Sequence, residues 1–387
     1  MFRKVNRGNN GIAIDEYIHM IITMGYSNCS EITNTIKLSC TPKLCLKQKV
    51  ELIKTKQVGY FLENFAKFNV HETSKNYLRK QNLSLVKKSL TWLELSPTNN
   101  IICYNDDLYP DSLRQTSCPP LLLYCQGNLE LLKANSIAIV GSRKSSCNGN
   151  KIASSFAKSL SSLGITIVSG LAKGIDSYAA IAALESYGST IAVLGTGPDT
   201  IYPRENKKLY EKIKQQGLIL TEFPPETAPR PHHFPRRNRI ISALALGTCI
   251  IEANIKSGSL ITAKLALEQN KEVFAIPGPI TQTNSSGTHM LIQQGAKLTA
   301  HPNDILSEIR LSQQKNNKDN FIQSVLILKK TIIDVISGKN LTIDQIQAAT
   351  GANKTKLITA LLQLEQYNLI KYNSGGYELQ FEFKNIQ

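Results

Sequence analysis

From Ser136 onward, short apolar runs and amphipathic segments alternate along the chain. Unbroken apolar stretches predict strands over 136–140, 165–168, 190–194, 218–221, 249–252 and 273–276. Between them, apolar residues at helical spacing predict helices over 150–163, 176–187, 205–216, 237–246 and 258–269. Strands without a polar face are buried on both sides, and strand–helix alternation makes a parallel sheet with helices on both faces. The predicted class is therefore α/β, with a mostly parallel sheet as the main body.

The flanks read differently. Tyr17–Met24 and Leu52–Phe68 have helical apolar spacing, with Leu52, Ile53, Tyr60, Phe61, Phe65 and Phe68 as expected core members. Residues 1–95 are read as a small, basic, mostly helical N-terminal domain. Its lysines, from Lys37 to Lys88, fit a solvated face or a surface for DNA. Ile101–Tyr104 predicts a short strand, and Leu121–Tyr124 an edge strand ended by Gly127. The main domain is set at 96–310 and a polar linker at 311–325. The tail, 326–387, carries a helix over 341–351 closed by Gly351, and Asn353 as cap of a further helix with Leu357, Ile358, Leu361, Leu362 and Leu364. A hairpin follows over 371–379.

A formal charge of +16 adds a preference for a polyanionic partner, although scattered lysine is also common on solvated faces. The eight cysteines include no Cys-x-x-Cys pair and no histidine at finger spacing, so no zinc site is expected. Reduced thiols suit a cytoplasmic protein. No apolar run approaches the ~18 residues of a membrane span, and Asp15, Glu16 and His19 interrupt any signal-peptide core. Neither Gly-x-Gly-x-x-Gly after the first strand nor Gly-x-x-x-x-Gly-Lys-Ser/Thr occurs, which argues against a nicotinamide cofactor and a P-loop ATPase. No cofactor is expected.

The candidate chemistry lies in the turns after the strands. These are Gly141-Ser142-Arg143-Lys144, then Ser169-Gly170-Leu-Ala-Lys173-Gly174, Gly195-Thr-Gly197 with Tyr202-Pro203-Arg204, and Lys256-Ser257-Gly258-Ser259. Such turns sit at the carboxyl ends of parallel strands, where open α/β sheets bind ligands. Small residues admit close approach of an anion to backbone N–H groups, and Arg143 offers a planar fork for a phosphate. The loop after the fourth strand ends in Phe234-Pro-Arg236-Arg237-Asn238-Arg239. Phe234 suits stacking on a base, or stapling of the next helix. One of the three arginines is expected to be structural, pairing with Glu222 or Glu252, and at least one to meet the ligand. Asp176 is read as a helix cap, and His289 and His301 as non-catalytic. A second reading is an enzyme that cleaves nucleotide phosphoribosyl bonds, like a nucleoside monophosphate phosphoribohydrolase. Its acid would have to be Glu222, Glu252 or Asp176, and no catalytic constellation emerges.

Seven runs carry a resemblance. They are Ile137–Arg143, Val168–Asp176, Thr190–Gly195, Ile201–Pro203, Phe234–Ile241, Ser257–Ala263 and Val273–Gly278, in order over roughly 200 residues. In these the chain resembles the bacterial DNA-processing protein A family, DprA or Smf. The resemblance implies an extended Rossmann-like domain that binds and protects single-stranded DNA. It also implies loading of the recombinase RecA onto that DNA in recombination and natural transformation, without catalysis. The partners it implies are single-stranded DNA, RecA, single-strand binding protein and a second copy of the chain. Arg143 and Phe234 occupy the family's DNA-facing positions. The tail resembles the winged-helix module of some members, with Lys354 and Lys356 opening its recognition helix. Two positions depart from the family: Ala179-Ala180 replaces a common Ala-His pair, and Pro231 stands where some members carry lysine.

Overall fold

The computed structural model describes residues 29–80, 83–309 and, in the C-terminal part, 328, 331–333, 335–337, 339–352, 357–358, 360–361, 364–365, 370–373 and 375–379. The chain divides into two compact units after residue 310. In the first, β1 (Asn99–Cys103), β2 (Leu122–Gly127), β3 (Ser136–Val140), β4 (Thr166–Ser169), β5 (Thr190–Val193), β6 (Leu218–Thr221), β7 (Gly247–Ile250), β8 (Glu272–Ala275) and β9 (Lys297–Leu298) form one sheet. Their order is β1-β2-β6-β5-β4-β3-β7-β8-β9. From β6 to β9 every pairing is parallel, whereas β1 and β2 pair antiparallel. All six strands expected from the apolar runs are present.

Side chains of β3 alternate between two cores, as a period of two requires. Ile137 and Ile139 face Phe156, Leu160 and Ile175. Ala138 and Val140 face Ile240, Ile241 and Ala263 on the other side. The helices of the first unit are α1 (Cys29–Cys40), α2 (Leu46–Lys54), α3 (Val58–Asn64), α4 (Glu72–Arg79), α5 (Ser84–Glu94), α6 (Asp111–Arg114), α7 (Cys147–Ser162), α8 (Ile175–Leu184), α9 (Lys207–Gln216), α10 (His233–Leu244), α11 (Gly258–Glu268), α12 (Ser286–Gln293) and α13 (Pro302–Leu306). After β6 the chain crosses back to place β7 beside β3. The crevice above β3 and β7 is thus the topological switch point, where ligands of open α/β sheets bind.

Three expectations change. Leu121–Tyr124 belongs to an inner strand, because β1 covers β2 on one side and β6 on the other. Tyr60 is 56% exposed rather than core. A break at Thr55–Gln57, with Lys56 at φ 56°, shifts the helical phase and turns Tyr60 outward, while Ile53 and Phe61 stay buried. The helix expected from 237 starts at His233, so Phe234 and Arg236 sit on its first turn rather than in a loop.

The N-terminal helices share their core with the sheet. Ile32, Ile36, Val86, Leu90 and Trp92 pack with Ile101, Cys103, Leu122 and Tyr124 of the β1–β2 hairpin. The indole of Trp92 meets the Tyr124 ring edge-on at 5.7 Å. In the second unit, α14 (Ile343–Thr350) is capped by Thr342 and ended by Gly351 at φ 63°. Here β10 (Ile370–Asn373) and β11 (Gly376–Leu379) form the expected hairpin, and Ile332, Ile336, Ile346, Leu357, Leu361 and Ile370 make a core. The 311–325 linker, Asn353, Lys354, Lys356, Leu362 and Tyr17–Met24 lie outside the described residues.

Because the core is shared, Trp92→Ala is expected to lower the stability of the whole first unit by ~3–5 kcal/mol. Urea unfolding of the full chain, followed by far-UV circular dichroism, measures this. An unchanged main transition would show that the N-terminal helices fold apart from the sheet.

Candidate nucleic-acid interface

A cleft of about 840 Å³ opens at the switch point. The turn after β3 contributes Gly141, Ser142, Arg143 and Lys144. Tyr202 comes from the β5–α9 connection, and Arg230 and Phe234 from the entry to α10. The β7–α11 turn supplies Asn254, Lys256, Ser257, Gly258 and Ser259.

The turns were expected to offer backbone N–H groups to an anion, but several of these groups are used inside the protein. Ser142 N–H donates to the Glu252 carbonyl at 2.8 Å, and Ile175 N–H to the Ser142 carbonyl at 3.3 Å. Gly141 lies so close to Ile175 that a Cβ would stand 2.7 Å from it. Gly174, at φ 75°, would place a Cβ 2.4 Å from the Ser142 carbonyl oxygen. Glycine is required at both positions because the two turns pack against each other.

The chain's own acids occupy two of the anion sites. Glu252 accepts the Ser146 N–H at 2.9 Å and the Ser146 hydroxyl at the start of α7. Asp176 is buried and accepts the Gly170 N–H at 3.0 Å. It is not the helix cap expected, since Gly174 holds that position. Burial raises its carboxyl above the usual range, opposed by the nearby Arg237 guanidinium and by the N–H groups of the turn. The Ser169 hydroxyl is likewise committed, donating to the Ile139 carbonyl at 2.9 Å. Neither Ser169 nor Gly170 lines the cleft.

The arginine run divides by helical phase. Arg237 is buried and donates to the Gly170 carbonyl at 2.7 Å and to the Val193 carbonyl. A Cβ on Gly170 would lie 2.5 Å from its Nη2, so glycine is what lets the guanidinium in. Desolvation pulls Arg237 down to about 10, with Asp176 pulling the other way. Arg239 is also buried and meets Glu222 at 2.5 Å. Arg236 is exposed but shares Glu222 through two bonds, of 2.8 and 3.1 Å. Asn238 receives the Arg237 Nε–H at 3.1 Å and donates to the Gly258 carbonyl at 3.3 Å. Two arginines are therefore internal, where one was expected. Lys173 lies outside the cleft lining, paired with Glu205 at 2.5 Å.

The solvent side of the cleft has the opposite character. The Arg143 guanidinium stands 5.3 Å from the centroid of the Phe234 ring. Tyr202 approaches the same ring at 5.4 Å, tilted by 38°. Gly195 supports Phe234 from below, where a Cβ would come within 2.8 Å of Cδ1. His233 stacks on Phe223 at 4.2 Å, and burial lowers its imidazole below the usual range. Among the described residues, Arg143, Lys144, Arg230 and Lys256 form no ion pair. Asp176, buried, is the one carboxylate in the lining. Ser257 caps α11, and among the described residues no carboxylate is bonded at that helix start, in contrast to α7. An open helix N-terminus beside unpaired cations suits a phosphate. The three acids considered for hydrolysis are each committed: Glu222 to two arginines, Glu252 to Ser146, and Asp176 to the Gly170 turn.

Sequence reasoning left Tyr202, Lys144, Arg230 and Asn254 out of the expected site. Tyr202 and Lys144 stood in the Gly-rich turns that had been singled out, so a signal existed for both. Arg230 and Asn254 reach the cleft only through tertiary placement. Among the described residues, no helix is long and apolar enough to cross a membrane.

Comparison with known proteins places the chain in a family and fold. Residues 100–310 match the family model of DNA recombination-mediator protein A. Protein Smf of Escherichia coli (strain K12) is 38% identical over 300 residues, covering 76% of this chain and 80% of that one. DNA processing protein DprA of Streptococcus pneumoniae (strain ATCC BAA-255 / R6) is 48% identical over 203 residues, or 52% and 72% of the two chains. An X-ray structure of DprA from Streptococcus pneumoniae superposes with a TM-score of 0.63 at 37% identity, covering 72% of this chain and 99% of that one. A DprA structure from Helicobacter pylori, described for its single-stranded DNA binding mode, gives a TM-score of 0.50 at 31% identity, covering 55% and 98%.

The Asp176–Arg237 arrangement makes stability depend on pH in a defined direction. Asp176 has a raised folded-state value, so its contribution is full at low pH and is lost as pH rises through that value. Replacing Arg237 removes the opposing cation and raises the value further. Arg237→Met is therefore expected to be more destabilised at pH 8 than at pH 5.5, and Asp176→Asn in the same background should flatten the difference. Thermal unfolding at the two pH values checks this, and an equal loss at both would contradict the electrostatic coupling of the two groups.

Proposed function

Because the chain belongs to the DNA recombination-mediator protein A family, we propose that its cleft takes up single-stranded DNA without cleaving it and holds the strand for recombination. The observation that carries this reading is the cleft's unbalanced charge beside a half-buried ring: among the described residues Arg143, Lys144, Arg230 and Lys256 lack ion-pair partners, and Phe234 stands among them. Cations that track a backbone and a ring that stacks on bases are the two components of sequence-tolerant single-strand binding. The Helicobacter pylori relative is described as binding single-stranded DNA, which supports the same ligand here.

Roles then follow from placement. Arg143, Lys256 and the α11 start at Ser257, Gly258 and Ser259 receive phosphates. Phe234 stacks on a base. Arg236 is a latent phosphate ligand, since Glu222 keeps Arg239 when Arg236 leaves it. Gly141, Ser142, Ser169, Gly170, Gly174, Arg237, Asn238 and Arg239 hold the cleft in shape, and Lys173 extends the basic rim. Family membership supports the further step of loading RecA onto the bound strand in recombination and natural transformation, with single-strand binding protein displaced and a second copy of the chain as partner. The C-terminal unit, with its capped helix and hairpin, supports a winged-helix module.

Anisotropy of labelled oligo-dT across a salt series tests the ligand. Arg143→Ala and Lys256→Ala are each expected to make the log–log salt slope shallower by ~0.7. Phe234→Ala should cost ~1–3 kcal/mol and leave the slope unchanged. Salt-independent binding, or an Arg143→Ala variant that binds like the wild type, would overturn the reading. For the RecA step, the wild type is expected to speed RecA filament formation on DNA coated with single-strand binding protein, and Phe234→Ala to lose that effect.

A further inference from the structure

Phe234 alone offers little free ring surface. Gly195 closes one side of it, the Arg143 guanidinium lies over it, and Tyr202 flanks it. Tyr202 is the more open ring of the pair, at 41% exposure, and it lines the same cleft. Its hydroxyl has no hydrogen-bond partner among the described residues. The backbone around it is held on both sides, because Ile201 packs into the cluster around Leu194 and Tyr210, and Pro203 is buried. A ring that projects into a cleft from an anchored backbone loses little freedom when it binds.

Resting on the single-strand reading above, we propose that Tyr202 is a second base-stacking surface, so that one aromatic pair serves two nucleobases. The 5.4 Å between the rings is too narrow to admit a base between them, since intercalation needs about twice the ~3.4 Å rise of stacked bases. Stacking therefore takes place on the outer faces. One base replaces the Arg143 guanidinium on Phe234, which frees Arg143 for a phosphate. The next base lies on the open face of Tyr202. Because every base has a π-face, such a site tolerates any sequence.

The test compares the full-length wild type with Tyr202→Ala and Tyr202→Phe on oligo-dT and on an abasic strand of equal length and charge. Tyr202→Ala is expected to weaken oligo-dT binding about 5- to 150-fold at an unchanged salt slope. It should leave binding to the abasic strand as in the wild type. Tyr202→Phe should bind oligo-dT within about 2-fold of the wild type, since it keeps the ring. Equal weakening on both strands, or no weakening by Tyr202→Ala while Phe234→Ala is impaired, would overturn the role of Tyr202 alone. Failure of the wild type to prefer oligo-dT over the abasic strand would instead overturn the base-stacking reading of the whole cleft.

Discussion

The guanidinium of Arg237 is the contact on which the upper half of the sheet depends. It ties α10 to the carbonyls of Gly170 and Val193, at the ends of β4 and β5. Both carbonyls accept its N–H groups, and a buried cation needs several acceptors to offset its desolvation. Asp176 supplies the compensating charge, and Gly170 supplies the space. Phe234 lies three residues earlier, about one turn up the same helix. Anchoring Arg237 therefore also sets Phe234 over Gly195 and beside Arg143.

The placement of acids leaves the cleft with an excess of positive charge. Glu252 and Asp176 lie on the protein side of their turns and satisfy N–H groups that would otherwise bind an outside anion. Glu222 holds Arg239 inside and restrains Arg236 at the surface. Among the described residues, no acid forms an ion pair with Arg143, Lys144, Arg230 or Lys256. In the proposed single-strand reading, binding strength falls to side chains at the rim and to the start of α11, whereas the glycines serve packing. A Gly-rich turn in an α/β protein reports close approach of some group, and here that group is mostly the neighbouring turn.

Much of the fold was legible along the chain. Short continuous apolar runs bounded by Gly-rich turns fit strands buried on both faces, and their alternation with amphipathic segments allows few topologies other than a parallel sheet. Gly351 and Thr342 mark the limits of their helix by local chemistry alone. The errors came where a neighbour in space decides. The apolar run at Leu121–Tyr124 reads the same in an inner and an edge strand. Tyr60 kept an apolar period that a break at Lys56 put out of phase.

For the site, sequence alone determined which segments meet at the crevice and which residue types they carry, because turn chemistry and strand order are local or periodic properties. It also supplied Arg143 and Phe234. Tertiary structure decided which of the adjacent Arg236, Arg237 and Arg239 is buried, since 100° of helical rotation per residue separates a solvated cation from an internal one. It turned the Ser142, Ser169 and Gly170 polar groups inward, and it brought Tyr202 to Phe234 across more than thirty positions of chain. Burial and partnership are properties of the assembled neighbourhood, and a run of residues along a chain does not record them.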